Sequence, residues 1–194
     1  MNPVTLTGRF VTLVPLSEDH HSGLQEAAAD GELWKLFFTM VPKPEDMHSW
    51  METALALQKE HEALIFTVFE NFSGKIVGTT RYCNLDLQNQ RLEIGYTWYA
   101  RRVQRTAVNT ECKLLLLGHA FEQLDCIAVE FRTDFLNHPS QRAIERLGAR
   151  RDGILRNHKI MPNGRIRDSV VYSILNSEWE GVKQNLEFNL DRAY

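Results

Sequence analysis

Short runs rich in β-branched and aromatic residues recur along the chain, each bounded by turn residues. They cover Phe10–Leu16, Leu64–Phe69, Lys75–Tyr82, Arg91–Tyr99, Ala128–Thr133, Arg151–Ile160 and Ile166–Leu175, and each predicts a strand. Segments with helical spacing lie between them. Ser17, an N-cap type, leads one helix to Ala29, and a second follows Pro42 and Pro44 over about 45–60, with Met47, Met51, Ala54 and Leu55 on one side. Two more are predicted over about 107–124 and over Ser140–Leu147. Trp34–Met40 is apolar and irregular, a short helix or a loop. Asn71-Phe72-Ser73-Gly74 and Pro162-Asn163-Gly164 supply hairpin turns. The order β-α-α-β-β-β-α-β-α-β-β implies an α/β chain whose central sheet is covered by helices on both faces. No repeat or low-complexity linker interrupts it, so residues 1–180 read as a single domain. Residues 181–194 read as a C-terminal tail, loosely attached or an oligomer contact.

Composition narrows this picture. At 194 residues with 43% apolar content, the chain can bury one sizeable core. The net charge of −3 gives no general drive towards nucleic acid. That charge is unevenly divided. Residues 1–97 hold 7 basic and 13 acidic groups, whereas residues 98–194 hold 15 basic and 12 acidic. Cys83, Cys112 and Cys126 are scattered and lack metal spacing, as expected of reduced, buried thiols in a cytoplasmic protein. No apolar signal core or membrane-length run is present, and the seven histidines form no ligand set, so neither a membrane partner nor a metal is expected.

The densest chemical signal runs from Glu93 to Ala149. A strand, Glu93-Ile94-Gly95-Tyr96-Thr97-Trp98-Tyr99, leads into the basic turn Arg101-Arg102-Val103-Gln104-Arg105-Thr106-Ala107-Val108-Asn109-Thr110. That turn opens directly into an apolar helix. A helix start presents unpaired N–H groups and the positive end of the macrodipole, which suits a phosphate or pyrophosphate. Asn137-His138-Pro139-Ser140 then leads a short helix ending at Leu147-Gly148-Ala149.

These motifs resemble the GNAT superfamily of acetyl-CoA-dependent N-acyltransferases, in particular the branch containing the ribosomal-protein N-terminal acetyltransferases. In that family a Glu-Ile-Gly-Tyr-like strand precedes a loop of the form Gln/Arg-x-x-Gly-x-Gly/Ala. An Asn-x-x-Ser/Ala helix comes later. Gln104 falls on the first loop position, Ala107 on the first glycine and Asn109 on the second. The loop is therefore glycine-free, and Asn109 is the expected substitute because Asn tolerates the left-handed region. The resemblance extends from about Leu6 to Trp179.

The resemblance implies a mixed, mostly antiparallel sheet of about seven strands and a direct transfer of acetyl from acetyl-CoA to a primary amine. The acceptor is a protein N-terminal α-amine or a small-molecule amine, and a homodimer is possible. Backbone amides of Gln104, Arg105, Thr106, Ala107, Val108, Asn109 and Thr110 would hold the pyrophosphate. Trp98 and Tyr99 end the strand that pairs with the pantetheine arm, although both rings also suit a core or cleft wall. Asn137 resembles a residue that bonds the pantetheine or orders the turn. Glu93 is the first candidate for the general base; the alternative is a pair with Arg81 or Arg91. His158 is the second, or an ordinary hydrogen-bonded strand histidine. Many family members carry a tyrosine acid seven residues after the Asn, where this chain has Ile144. Ser140 matches the serine proposed for that role in the ribosomal-protein branch, and it is also a natural helix cap. The rival reading is a non-catalytic acyl-CoA-binding or regulatory module on the same fold, motivated by the glycine-free loop and by Ile144.

Overall fold

The computed structural model describes residues 2–192. Its strands are β1 (Leu6–Thr7), β2 (Val11–Pro15), β3 (Leu64–Glu70), β4 (Lys75–Asp86), β5 (Arg91–Tyr99), β6 (Ala128–Asp134), β7 (Arg150–Ile160) and β8 (Ile166–Leu175). The helices are α1 (His21–Ala29), α2 (Met47–Lys59), α3 (Ala107–Glu122), α4 (His138–Glu145) and α5 (Trp179–Arg192). One eight-stranded sheet runs in the order β1-β2-β3-β4-β5-β6-β8-β7. Only β5 and β6 pair in parallel; the other six contacts are antiparallel. The sheet thus has the expected mixed, mostly antiparallel character, with β1 as an additional strand. Two residues are too few to show a period.

Helices cover both faces. Phe66 and Tyr82 meet edge to face with ring centroids 5.5 Å apart, and the Tyr82 hydroxyl donates to the Leu116 carbonyl at 2.6 Å, which seats α3 on that face. On the opposite face His20, just before α1, bonds the Thr67 hydroxyl at 2.9 Å, and Trp50 of α2 lies over Arg81.

The C-terminal segment differs from the expected tail. Trp179–Arg192 is a helix that lies on α3, with Trp179 tilted against Phe121 and its indole N–H donating to Glu122 at 2.8 Å. Val182, Leu186 and Leu190 are buried along the same stripe. Each such side chain contributes about 1.5–3 kcal/mol on burial, which holds the helix in place despite its polar outer face. Ala193 and Tyr194 lie outside the described residues.

The middle of the sheet is irregular in a directed way. Gly78 has φ +156, and a Cβ there would lie 2.1 Å from the Trp98 carbonyl oxygen, so only glycine lets β4 and β5 approach. The register then moves from Thr79↔Trp98 to Arg81↔Gly95, leaving Tyr96 and Thr97 opposite Thr80 alone. Tyr96 occupies the left-handed region at φ 51. This bulge turns β5 away from β6, whose pairing with it stops after Arg91↔Ala128, Leu92↔Val129 and Glu93↔Glu130.

Two buried charges fix α3 beneath this region. The Glu111 carboxylate accepts from the N–H groups of Arg9, Phe10 and Val11 at 2.8, 2.6 and 2.8 Å, tying the first hairpin to the helix. The Lys113 ammonium donates to the Thr97 hydroxyl at 2.9 Å, which in turn bonds Thr80 at 2.7 Å. Burial lowers the Lys113 pKa to about 8. As pH falls below the unfolded value near 10.5, the unfolded chain takes the proton first. The cost of burying Lys113 therefore grows until about pH 8 and stays constant below it. Lys113→Met is expected to relieve about 3 kcal/mol at pH 7, offset by about 1 kcal/mol for the lost hydrogen bond. The gain disappears above about pH 10.5. Urea denaturation at both pH values checks this, and an equal gain at both would contradict it.

Candidate active site

Because β5 and β6 are parallel, the turns that follow them lie at the same end of the sheet. Beyond Glu93 the β6-facing edge of β5, from Ile94 to Tyr99, pairs with no strand among the described residues. The parted strands leave a slot with backbone amides along one wall. At its mouth Arg101–Val103 forms a 3-10 turn, and the Gln104 side chain donates to the Tyr99 carbonyl at 3.1 Å. Thr106 caps α3. Its hydroxyl accepts from the Val108 N–H at 3.3 Å and donates to the Val103 carbonyl at 2.7 Å.

The turn obtains its left-handed residue at an unexpected position. Arg105 takes it, at φ 62, whereas Asn109, the expected glycine substitute, lies inside α3. The tight step falls before the helix, between Gln104 and the Thr106 cap, so a residue in the first helical turn cannot supply it. Ala107 and Val108 are buried, and the Thr110 hydroxyl accepts at 3.0 Å from Arg146, just past the end of α4. These side chains are buried at the start of α3. The arginines also separate. Arg102 is held by Glu70 at 2.9 Å and Arg101 lies beside Gly31, while exposed Arg105 forms no ion pair among the described residues.

At the other turn, Asn137 is the cap of α4, its Oδ1 accepting from the Ser140 N–H at 3.1 Å. Ser140 is therefore the third helical residue rather than the cap. Its half-buried hydroxyl bonds no group among the described residues. Ile144 is buried in the core. Trp98 and Tyr99 are buried as well. The Trp98 indole N–H has no acceptor among the described residues, and the Tyr99 hydroxyl lies beside the Cys112 thiol, with burial raising its pKa well above the ordinary value.

Glu93 marks the point where the strands part. It is 5% exposed and bonds neither Arg81 nor Arg91. Instead it accepts from Asn84 Nδ2 at 2.7 Å and lies 3.4 Å from Arg132 Nε. Glu130 stands directly opposite and takes Arg91 at 2.6 Å and Arg132 at 2.9 Å. Burial raises the Glu93 pKa above 4.5, opposed by Asn84, Arg132 and Lys159 and assisted by Glu130. His158 is half-buried and bonds Ser169 at 3.0 Å. Desolvation, then Lys159, Arg132 and Arg167, lower its pKa below 6.5, so it is neutral at pH 7. Arg132 and Lys159 act on both Glu93 and His158, placing the two groups in one electrostatic environment.

Sequence reasoning missed Asn84, Arg132 and the Tyr96 bulge, and named Arg81 only as a partner for Glu93. A cation in the predicted strand cores around Arg81 and Arg132 is the signal that was available. Their partners depend on register between separate strands.

A family model described as an acetyltransferase (GNAT) domain matches residues 11–150. A Bacillus subtilis protein, YdaF, whose name assigns it provisionally as a ribosomal N-acetyltransferase, is 34% identical over 112 residues. That match covers 58% of this chain and 60% of the relative, less than two thirds of its length. The crystal structure of a GCN5-related N-acetyltransferase from Brucella melitensis superposes with a TM-score of 0.87 at 31% identity, covering 98% of this chain and 86% of that one. Mycobacterium smegmatis RimJ in complex with CoA-disulfide has a TM-score of 0.81 at 18% identity, with 96% and 95% covered, a likeness of fold.

The left-handed turn residue gives a test of the mouth's geometry. Arg105→Gly releases about 1–2 kcal/mol of αL cost and adds about 0.5–1 kcal/mol of chain entropy. It should therefore leave stability nearly unchanged or slightly improved. Arg105→Val adds a β-branched side chain at positive φ and should cost about 1–2 kcal/mol. Chemical denaturation measures both, and equal stability of the Gly and Val variants would contradict the left-handed assignment.

Proposed function

This chain belongs to the GNAT acetyltransferase family, and we propose that it is an acetyl-CoA-dependent N-acetyltransferase. In this reading it moves acetyl directly to a primary amine in a ternary complex, with no acetylated protein residue. The observation that carries the proposal is Glu93, a buried carboxylate of raised pKa at the point where β5 leaves β6.

The residues present suit acetyl-CoA as the acyl donor. The unpaired β5 edge can bond the amides of an extended pantetheine arm as an added strand would. The capped start of α3, with exposed Arg105 beside it, suits the pyrophosphate. The glycine-free loop, which favours a non-catalytic module when read from sequence, acquires its left-handed residue at Arg105.

The amine nitrogen attacks the thioester carbonyl and loses its proton to Glu93 directly or through a water. A backbone N–H at the Tyr96 bulge supplies the oxyanion donor. As the carbon–sulfur bond breaks, the Ser140 hydroxyl passes a proton to the departing thiolate and is reprotonated from solvent, to which Glu93 releases the amine's proton. His158, neutral at pH 7, is the second proton acceptor on the same face. The acceptor is a protein N-terminal α-amine or a small-molecule amine; the name of the Bacillus subtilis relative supports the former. Three free buried cysteines suit a cytoplasmic setting, and no helix among the described residues is long and apolar enough to cross a membrane.

Thiol release from acetyl-CoA with a panel of peptides and amines tests the activity, and Glu93→Gln tests the mechanism. Turnover should fall about 10²-fold or more, with acetyl-CoA affinity nearly unchanged. The wild-type acidic limb should lie above the ordinary carboxylate range and be absent in the variant. Because the folded pKa is raised, folding favours the protonated form, and that contribution is lost as pH rises through the folded value. The neutral glutamine should therefore leave stability at pH 8 equal or higher. A loss of only a few-fold across pH 6–9 would make Glu93 structural.

A further inference from the structure

On the sheet face that carries Glu93, most cations have a carboxylate. Arg91 and Arg132 share Glu130, Arg132 also reaches Glu93, and Arg165 and Arg167 both reach Asp134. Arg81 and Lys159 have none among the described residues. Arg81 is only 6% exposed, and its Nε bonds nothing. Its guanidinium carbon lies 4.3 Å from the centroid of the Tyr96 ring and 5.9 Å from that of Trp50. Lys159 Nζ lies 5.6 Å from the Tyr96 centroid and 3.5 Å from its hydroxyl. Two cations that form no ion pair among the described residues therefore flank one aromatic ring, Lys159 acting on Glu93 only at longer range. That ring is at the bulge beside the parted strands, and Arg81 is the register partner of Gly95.

A guanidinium buried without an anion is a costly arrangement, only partly offset by aromatic faces. Desolvation lowers the Arg81 pKa, and no carboxylate acts on it in return. Tyr96 is 43% exposed, so the guanidinium lies one ring from solvent. The position is two residues beyond Glu93 on β5, where the acceptor amine must lose its proton.

We propose that the acceptor amine carries a carboxylate, and that Arg81, with Lys159 across the Tyr96 ring, binds it. This rests on the N-acetyltransferase reading. A planar guanidinium suits a carboxylate in a two-point contact, and the pair would be complete only once substrate arrives. The same two charges repel polyamines and lysine-rich N-termini, so the site selects as well as binds. The carboxylate can belong to an acidic residue at a peptide N-terminus or to a small amino acid.

The test compares matched acceptors on the full-length protein with acetyl-CoA. One pair is a C-terminally amidated peptide beginning with Glu or with Gln; the other is free glutamate or its diamide. The expected result is at least a tenfold higher kcat/KM for the acidic member of one pair, and which pair responds identifies the source. Arg81→Met should bring that ratio to within twofold, with acetyl-CoA affinity unchanged as the check on folding, and Arg81→Lys should keep part of it. A wild-type ratio near one, or a ratio unaltered in Arg81→Met, would overturn the proposal. Melting of the CoA-saturated protein reads the same preference without turnover. If the acidic acceptor raises Tm more than its amide and no thiol is ever released, the anion site stands and the enzymatic reading fails. If neutral amines turn over and the acidic members gain nothing in rate or in Tm, the enzymatic reading stands and the anion site fails.

Discussion

The parting of β5 from β6 is the constraint on which the arrangement depends. Three rungs of parallel ladder end at Glu93↔Glu130, and the Tyr96 bulge carries β5 away while β6 continues alongside β8. A sheet interior ordinarily satisfies both edges of every strand, because an unpaired backbone group hidden from water is costly. Leaving one edge of Ile94–Tyr99 open therefore has to be supported from elsewhere. Gly78 lets β4 bend with β5, and Lys113 reaches up from α3 to the Thr97–Thr80 pair just behind the bulge. Both turns that close the slot lie at the same end of the sheet because of the same parallel geometry. Arg146, just past the C-terminal end of α4, ties that helix to the first turn of α3 through Thr110.

Charge placement follows the same division. On the α3 face, Glu111 and Lys113 are buried with fixed partners and serve the framework. On the opposite face, Glu93 keeps a raised pKa because burial and the neighbouring Glu130 outweigh Asn84 and Arg132. Arg132 is shared between two carboxylates and so does not neutralise either completely. A carboxylate paired one to one with Arg would be held ionised and weakly basic. The sharing leaves burial to raise the proton affinity of Glu93 above that of an ordinary carboxylate.

Much of the fold was legible because its strands carry dense β-branched and aromatic runs, as in Ile65–Phe69 and Val170–Ile174. The tail was misread although Trp179, Val182, Leu186 and Leu190 recur at helical spacing, because Glu180, Gln184, Asn185 and Glu187 dilute that stripe. The loop motif was found from residue types, yet its left-handed position was assigned by preference to Asn109. The chain path from β5 into α3 instead imposes it on Arg105. The environments of Glu93 and Arg81 were the least accessible. Arg132 reaches Glu93 only through the β5–β6 register, and Arg81 lacks a carboxylate only because of where β4, β5 and α2 meet. No local pattern encodes either relation.

Amide hydrogen exchange with and without acetyl-CoA tests the open strand edge most directly. If the slot between β5 and β6 is where the acyl donor lies, added acetyl-CoA should slow exchange in peptides covering Ile94–Thr110. Peptides from α5 and from the β1–β2 hairpin should remain as they were. Protection confined to other parts of the chain, with Ile94–Thr110 unaltered at saturating acetyl-CoA, would contradict the account.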